Sequence, residues 1–252
     1  MKRWENYAWP LLLSAAILTA WNLSVLWTPT GVFPSPLGVE RGVAELVRRG
    51  VLWSYTGDSL VRVAVGYLMA IGIGIPLGVV LGNYPVAART VNPAIQVLRP
   101  ISPLAWIPLS IVWFGVSNFA AIFLIFLASF FPLVVSTLNA VRNIPEVYLR
   151  AGRNFGLSPV SLLARVTFPA ALPQILIGLR ISLGVAWVVV VAAEMIAVDS
   201  GLGYLIIDAR NAGKRYDLVV AGMLLIGIIG LALDTGIRRL NTLRFVRWGV
   251  SS

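Results

Sequence analysis

Long apolar stretches run through this chain and constrain its fold more than any other feature. Of its 252 residues, 58% are apolar and only 12% are charged. A soluble domain has about a quarter of its residues charged. A helix that crosses a bilayer needs about 20 consecutive apolar residues. The sequence therefore predicts an all-α integral membrane protein built as one membrane domain.

About six membrane spans are predicted. They cover Tyr7–Trp27, Ser59–Leu81, Ile101–Phe114, Phe119–Leu138, Leu172–Val198 and Leu218–Ile237. The third is short and rich in proline, so we expect it to start earlier and to be kinked. The first resembles a signal peptide but is followed by Thr28-Pro29 rather than a small-residue cleavage site. It is predicted to be a retained signal-anchor helix.

Basic residues indicate the orientation. An even number of spans puts both termini on one side. The segments on that side, with Arg99 counted among them, hold most of the Lys and Arg and few carboxylates, whereas the opposite segments, with Arg62 among them, are nearly balanced. The excess of basic residues predicts cytoplasmic termini and a multi-pass protein of the bacterial cytoplasmic (inner) membrane. The net charge of +10 is thus interpreted as a topology signal and not as a nucleic-acid site.

The first outer loop, Thr28–Asp58, contains an amphipathic pattern. Apolar Val39, Val43, Leu46 and Val47 share one helical face, and charged residues occupy the other. The pattern fits a helix lying at the membrane surface. It also fits a helix that packs between spans, which is the interpretation we favour.

Residue types limit the chemistry. The chain has no Cys and no His, which removes thiolate chemistry, the commonest general base and the commonest metal ligand. The phosphate-loop pattern G-x-x-x-x-G-K-[ST] is also absent from the sequence. We expect a non-catalytic subunit that carries no cofactor or metal.

A polar segment, Glu146–Gln174, separates two of the most apolar runs. Asn143 and Glu146 have capping-box spacing, Gly156 follows the predicted helix, and Ser158-Pro159 resembles the start of a second helix. Phe168-Pro169 is predicted to close that second helix. A solvated loop with orienting arginines would explain the charges. Two capped helices joined at a glycine favour a docking element.

This segment resembles the cytoplasmic signature loop of the integral-membrane subunits of ABC importers. That pattern is Glu-Ala-Ala, three residues, Gly, nine residues, then Ile-x-Leu-Pro. Here Arg150-Ala151-Gly152 replaces Glu-Ala-Ala, Gly156 matches the glycine, and Val166-Thr167-Phe168-Pro169 matches the end. The proposed coupling-loop residues are Arg150, Ala151, Gly152, Gly156, Ser158 and Pro169.

Other motifs resemble the branch that imports nitrate, sulfonates, taurine, bicarbonate and related anions. They are FPSP at Phe33–Pro36, SLVRVAVGY at Ser59–Tyr67, RPISPLAWIPLSIVWFG at Arg99–Gly115, AAEMIA at Ala192–Ala197 and GLGYLI at Gly201–Ile206.

The resemblance implies a type I importer permease fold. It divides the chain into an N-terminal helix and surface helix (1–54), the ABC transmembrane type-1 domain (55–238) and a basic cytoplasmic tail (239–252). It also implies a second permease copy, two ATPase subunits that bind ATP and Mg, an extracytoplasmic substrate-binding protein, and surrounding lipid. Substrate contacts are expected mainly from hydroxyl and amide donors.

Two features inside the membrane are singled out. Gly66, Gly74, Gly78 and Gly82 recur with Ala70 every four residues, a pattern typical of close helix packing, either within the subunit or across a dimer axis. Arg180 and Glu194 are candidate pathway or gate residues, because ionisable groups are costly in lipid. Asp234 is a possible partner for Arg180, and Glu194 lies near the outer end of its span.

Two other classes of protein fit the sequence less well. A stand-alone secondary transporter or channel should show coupling carboxylates in mid-span or repeated broken helices, and would leave the polar segment unexplained. A membrane-embedded enzyme would lack the usual catalytic side chains.

Overall fold

The computed structural model describes residues 5–27 and 33–241. Every regular element within these ranges is helical. The α-helices are α1 Glu5–Trp27, α2 Pro36–Arg48, α3 Val51–Asn83, α4 Pro85–Leu98, α5 Ile107–Phe114, α6 Asn118–Arg142, α7 Glu146–Asn154, α8 Pro159–Leu162, α9 Phe168–Glu194, α10 Leu202–Gly213 and α11 Tyr216–Asn241. A 3-10 turn, Pro103–Trp106, precedes α5, and a π turn, Leu163–Thr167, joins α8 to α9. Most of the predicted basic tail lies outside these ranges, as do Lys2, Arg3 and 28–32.

Four described helical segments are long and apolar enough to cross a membrane: α3, α6, α11, and the continuous stretch from α8 to α9. The segments Pro85–Leu98 and Pro103–Phe114 make a fifth span if counted together, bent by 83°. The apolar part of α1 is shorter, Leu11–Trp27. The predicted third span, Ile101–Phe114, thus covers only the second half of a broken one. Its first half is α4, whose polar residues hid it from the hydropathy pattern.

The core is formed where α6 packs between α3 and α9. Glycines on α3 make this packing close, because a Cβ at Gly78 would lie 2.6 Å from the Thr137 Cβ and 2.8 Å from the Val134 carbonyl oxygen. At Gly82 it would lie 2.6 Å from the Val141 Cβ. The glycine stripe therefore faces α6 of the same subunit, and small residues allow the two backbones to approach.

The helix that leads into α9 is not interrupted at Phe168-Pro169, so that prediction was wrong. Pro159–Glu194 runs as one helical segment of 36 residues. A π turn directly precedes Pro169, which lies in the first turn of α9. Proline lacks an N–H, and a π turn shifts the hydrogen-bond register locally, so the helix continues past the proline.

The predicted capping box at Asn143 is also wrong. Asn143 is the C-cap of α6, where its backbone N–H bonds to the Asn139 carbonyl. α7 is instead preceded by Pro145, which makes no side-chain cap. Because α6 extends to Arg142, the asparagine is used to end one helix rather than to begin the next.

Helix α2, which lies in the predicted first outer loop, packs against the bundle. Val39 and Leu46 are buried, while Val47 is exposed. A Cβ at Gly42 would lie 3.1 Å from the Asp217 carbonyl oxygen, so α2 crosses the start of α11 closely. Of the two interpretations of this helix, the structure shows packing between elements.

An ionic cluster holds α2 to the turn before α11. The Arg215 guanidinium donates to Glu45 at 2.7 Å and to Asp217 at 2.7 Å. The hydrogen bond from Arg215 lowers the pKa of the Glu45 carboxyl, and the bonds to Asp217 and then Glu45 raise the pKa of Arg215. The position of α2 on the bundle is thus fixed by charge as well as by apolar contact.

Candidate coupling segment and membrane-buried ion pairs

Helix α7 is the polar element at one end of the bundle. Its nine residues carry an exposed ion pair between Arg150 and Glu146, one turn apart, at 2.8 Å. Exposed pairs of this type stabilise a helix by only about 0.3–0.5 kcal/mol. Arg150 therefore replaces the family's glutamate without leaving an unpaired charge, and Ala151 beside it is exposed.

Gly156 ends this helix in a Schellman motif. Its φ is +73°, and its N–H bonds to the Arg153 carbonyl at 2.9 Å. The N–H of Leu157 bonds to the Gly152 carbonyl at 3.2 Å. This hydrogen-bond pair, with a glycine in the left-handed conformation, is the sharp helix stop that the sequence predicts.

Gly152 has a different role, since it is the buried contact between α7 and the next helix. A Cβ there would lie 2.5 Å from the Leu162 Cδ1 and 3.3 Å from the Val166 Cγ2. The following helix begins at Ser158, whose Oγ accepts from the Ser161 N–H at 3.3 Å. Pro169 lies further along, exposed in the first turn of α9.

Large apolar side chains are exposed on this polar segment. Phe155 is 85% exposed and Val160 76%, and Val147 and Tyr148 are exposed beside them. The segment is thus a rigid helix and glycine turn that presents apolar and basic groups together. A surface of this composition is typical of protein docking.

A buried ionic network joins the end of α9 to α3 and to the start of α10. The Glu194 carboxylate accepts from Arg62 at 2.7 Å, from Ser59 at 2.9 Å and from the Gly203 N–H at 2.9 Å. Glu194 is 0% exposed. Its charge is therefore compensated and hydrogen-bonded, as a buried carboxylate requires.

Arg62 completes this network and was missed as a buried group. It donates to the Asn118 side chain at 2.8 Å and to the Ser200 carbonyl at 2.9 Å. The sequence pattern placed it among the outer-loop charges, although it falls within the predicted span Ser59–Leu81. That position inside an apolar run was the available signal.

Arg180 is held by Asp234 in a two-point contact. Nε bonds to Oδ1 at 2.5 Å and Nη2 bonds to Oδ2 at 3.0 Å. The pair connects α9 to α11 and is about one third exposed on each side. The sequence-predicted residues therefore do not form one site. Glu194 lies at the end of α9 and Arg180 lies 14 residues before it, whereas the coupling-loop residues precede α9, except Pro169 in its first turn.

A bundle of long apolar helices with internal ion pairs defines the class of polytopic membrane proteins. Residues 74–243 match the family described as the binding-protein-dependent transport system inner membrane component, and the chain belongs to that family.

Two relatives extend over most of the chain. The taurine transport system permease protein of Escherichia coli K12 is 40% identical over 260 residues, covering 96% of this chain and 93% of its own. The nitrate import permease protein of Leptolyngbya laminosa is 40% identical over 186 residues, covering 74% and 66%. Among solved structures, the fold is similar to a chain of the inward-facing MetNI methionine ABC transporter, with a TM-score of 0.60, 23% identity, and coverage of 77% and 95%. The chain is thus a membrane-embedded permease subunit of an ABC importer, with the type I fold.

Proposed function

We propose that this chain forms, as a homodimer, the translocation pathway of an importer for a small oxyanion or sulfonate. Relatives named for taurine, aliphatic sulfonates and nitrate support the substrate class. All three are small molecules that carry a delocalised negative charge on oxygen. An extracytoplasmic binding protein delivers the substrate and sets which anion is imported.

Two copies of a separate ATPase, which bind ATP and Mg, drive this pathway. The geometry of α7 and Gly156 supports this part of the proposal. A helix that ends in a Schellman turn and packs through Gly152 onto the 36-residue segment Pro159–Glu194 transmits a displacement without unfolding. Exposed Phe155 and Val160 provide apolar contact area for the ATPase groove.

The orientation follows from the same element. We place α7 and both termini in the cytoplasm, where the ATPase is, and the protein in the bacterial inner membrane. The network of Arg62 and Glu194 then lies at the extracytoplasmic end, together with α2. The basic residues of α7 and its neighbours agree with the positive-inside rule.

The test uses two glycines with equal backbone strain. Gly156 and Gly50 have φ values of +73° and +72°, and a Cβ at either meets nothing within 4 Å. Valine at either position adds about 1–2 kcal/mol of left-handed strain or somewhat more. Gly156→Val should abolish co-purification of the phosphate-loop ATPase with the tagged chain, whereas Gly50→Val, at the α2–α3 turn, should leave it intact.

Each result of this pull-down bears on the proposal. A wild-type chain that binds no ATPase in its native membranes contradicts the ATP-driven importer and favours a secondary transporter or channel. An ATPase that binds the Gly156→Val and wild-type chains equally removes this turn from the docking surface.

A further inference from the structure

The break between α4 and α5 encloses a small cavity of about 160 Å³. Its walls come from the break itself, from α6 and from α9: Arg99, Ile101, Pro103, Trp106, Leu127, Ala128, Phe131, Pro132 and Val185. Arg99 is the C-cap of α4, the point at which the chain turns by 83°. Apart from Arg99, the lining side chains are apolar or aromatic.

The cavity lies beside the middle of the membrane-spanning helix α6. Its α6 wall reaches Pro132, which is 14 residues from the Asn118 end of α6 and 10 residues from the Arg142 end. At 1.5 Å per residue, these separations are about 21 Å and about 15 Å. The wall from α9 is Val185, nine residues before Glu194. Arg99 is thus far from the cytoplasmic segments in which its charge was first counted.

An arginine at this depth requires an explanation. The Arg99 side chain is exposed on this subunit and forms no ion pair with any residue of 5–27 or 33–241. Exposing arginine to hydrocarbon at mid-bilayer costs at least about 2.5 kcal/mol. Such residues face a water-filled path or the protein interior, and they mark routes for ions and substrates.

We infer that this cavity is an anion-binding site on the translocation path, with the Arg99 guanidinium contacting the oxygens of a sulfonate or nitrate group. The inference rests on the proposed function and adds to it the residue that meets the substrate. A guanidinium binds planar or tripodal oxyanions through two parallel N–H donors. Trp106 and the apolar wall exclude competing acceptors and surround the rest of the ligand.

Arg180, the candidate pathway residue, is held in a two-point contact with a carboxylate. Its Nε and Nη2 both bond to Asp234. Arg62 is likewise occupied by Glu194, Asn118 and Ser200. Arg99 is the arginine of the three whose guanidinium has no such partner among the residues the structure describes.

The absence of cysteine from the sequence makes a direct test possible. Arg99→Cys, in membranes of cells that express the whole transporter, should react with water-soluble methanethiosulfonate ethylammonium. Val185→Cys, which lines the same cavity and keeps Arg99, should react as well, and taurine, nitrate or ethanesulfonate, whichever the wild-type transporter imports, should slow its reaction about ten-fold. Arg89→Cys on the same helix α4 is the control, which should react without protection by the anion.

Function is measured with the same variants. Arg99→Cys and Arg99→Gln should lower uptake of the imported anion by about ten-fold or more, since a charge-assisted contact is lost. Attaching ethylammonium to Arg99→Cys restores a cation and should recover uptake several-fold, whereas attaching ethylsulfonate should not. Arg99→Lys should retain part of the uptake, and Arg89→Gln should retain all of it.

The outcomes separate this inference from the proposed function. If Arg99→Cys is unreactive from water while Arg89→Cys reacts, the cavity is not on an aqueous path, and the inference is wrong whatever the transporter imports. If the wild type imports an anion and Arg99→Gln imports it equally, the proposed function is supported and the anion site at Arg99 is wrong. Reaction at Val185→Cys that no tested anion slows also overturns the site.

Discussion

Arg62 and Glu194 are 132 residues apart in the sequence, and their side chains meet at 2.7 Å in the interior of the protein. The pair ties α3 to the end of α9. Ser200 and Gly203 bring the start of α10 into the same network. Three elements at one end of the bundle therefore depend on one charge pair.

Removing one member of this pair should destabilise the protein strongly. Glu194→Gln keeps the shape but leaves Arg62 buried without a counter-charge, which costs about 3–5 kcal/mol. We expect a large fall in the melting temperature of the detergent-solubilised chain, followed by tryptophan fluorescence. The double variant Arg62→Met, Glu194→Gln should recover part of the loss, because no buried charge remains. Strictly additive losses in the double variant would show that the two groups are not coupled.

Two glycine-to-alanine substitutions on α3 should change the stability of the protein differently. Gly78→Ala places a methyl group against the Thr137 Cβ and the Val134 carbonyl and should cost about 1–3 kcal/mol. A Cβ at Gly72, also on α3, meets nothing within 4 Å. Gly72→Ala should therefore leave the free energy of unfolding unchanged or raise it by at most about 1 kcal/mol. Thermal unfolding of the two variants side by side measures the difference. Equal effects would mean that α3 and α6 do not approach closely at Gly78.

The contact between Glu45 and Arg215 should be sensitive to acid. Arg215 lowers the pKa of Glu45 in the folded protein. A lowered folded pKa gives stability that is present above the unfolded value of about 4.3 and is lost as pH falls through the folded pKa. Hydrogen exchange in α2 should therefore accelerate below about pH 4 in the wild type.

Two variants check this assignment. In Glu45→Gln, α2 should exchange faster already at pH 7 and should lose most of the acid-dependent change. Glu40→Gln, on the same helix, is the control, because Glu40 forms no ion pair with a described residue. An acid response of α2 that persists in Glu45→Gln would assign it to another group.

Arg180 should behave as a structural partner and not as a substrate ligand. Arg180→Ala leaves Asp234 without its two-point contact, so we expect a several-fold loss of assembled protein and of uptake. The double variant Arg180→Ala, Asp234→Ala should recover both, since neither charge is then unpaired. Uptake that stays low in a well-assembled double variant would instead show that Arg180 contacts the anion.

Local sequence patterns predicted much of this fold because they encode local structure. Apolar runs located the long helices, the four-residue spacing of small residues marked the close face of α3, and Gly156 marked the end of α7. Each of these depends on residues within a few turns of one another. The pairing of Arg180 with Asp234 was considered because both lie near the same end of neighbouring spans.

The remaining errors concern relationships that no local pattern contains. The partners of Arg62 lie more than fifty residues away, so its burial follows from tertiary packing alone. The depth of Arg99 depends on a bend in a proline-rich stretch, whose angle the sequence does not specify. At Asn143 the local capping signal was overridden because α6 extends to Arg142. At Phe168-Pro169 the proline signal was overridden because a π turn lets the helix continue.

The continuous segment Pro159–Glu194 has a mechanical consequence. Its 36 residues make a rod of about 54 Å at 1.5 Å per residue. If the rod tilts by about 10° about its Pro159 end, the Glu194 end moves sideways by about 9 Å. Glu194 lies at that end. A small displacement applied beside Gly152 would therefore be amplified into a movement of several ångströms at the other end of the helix.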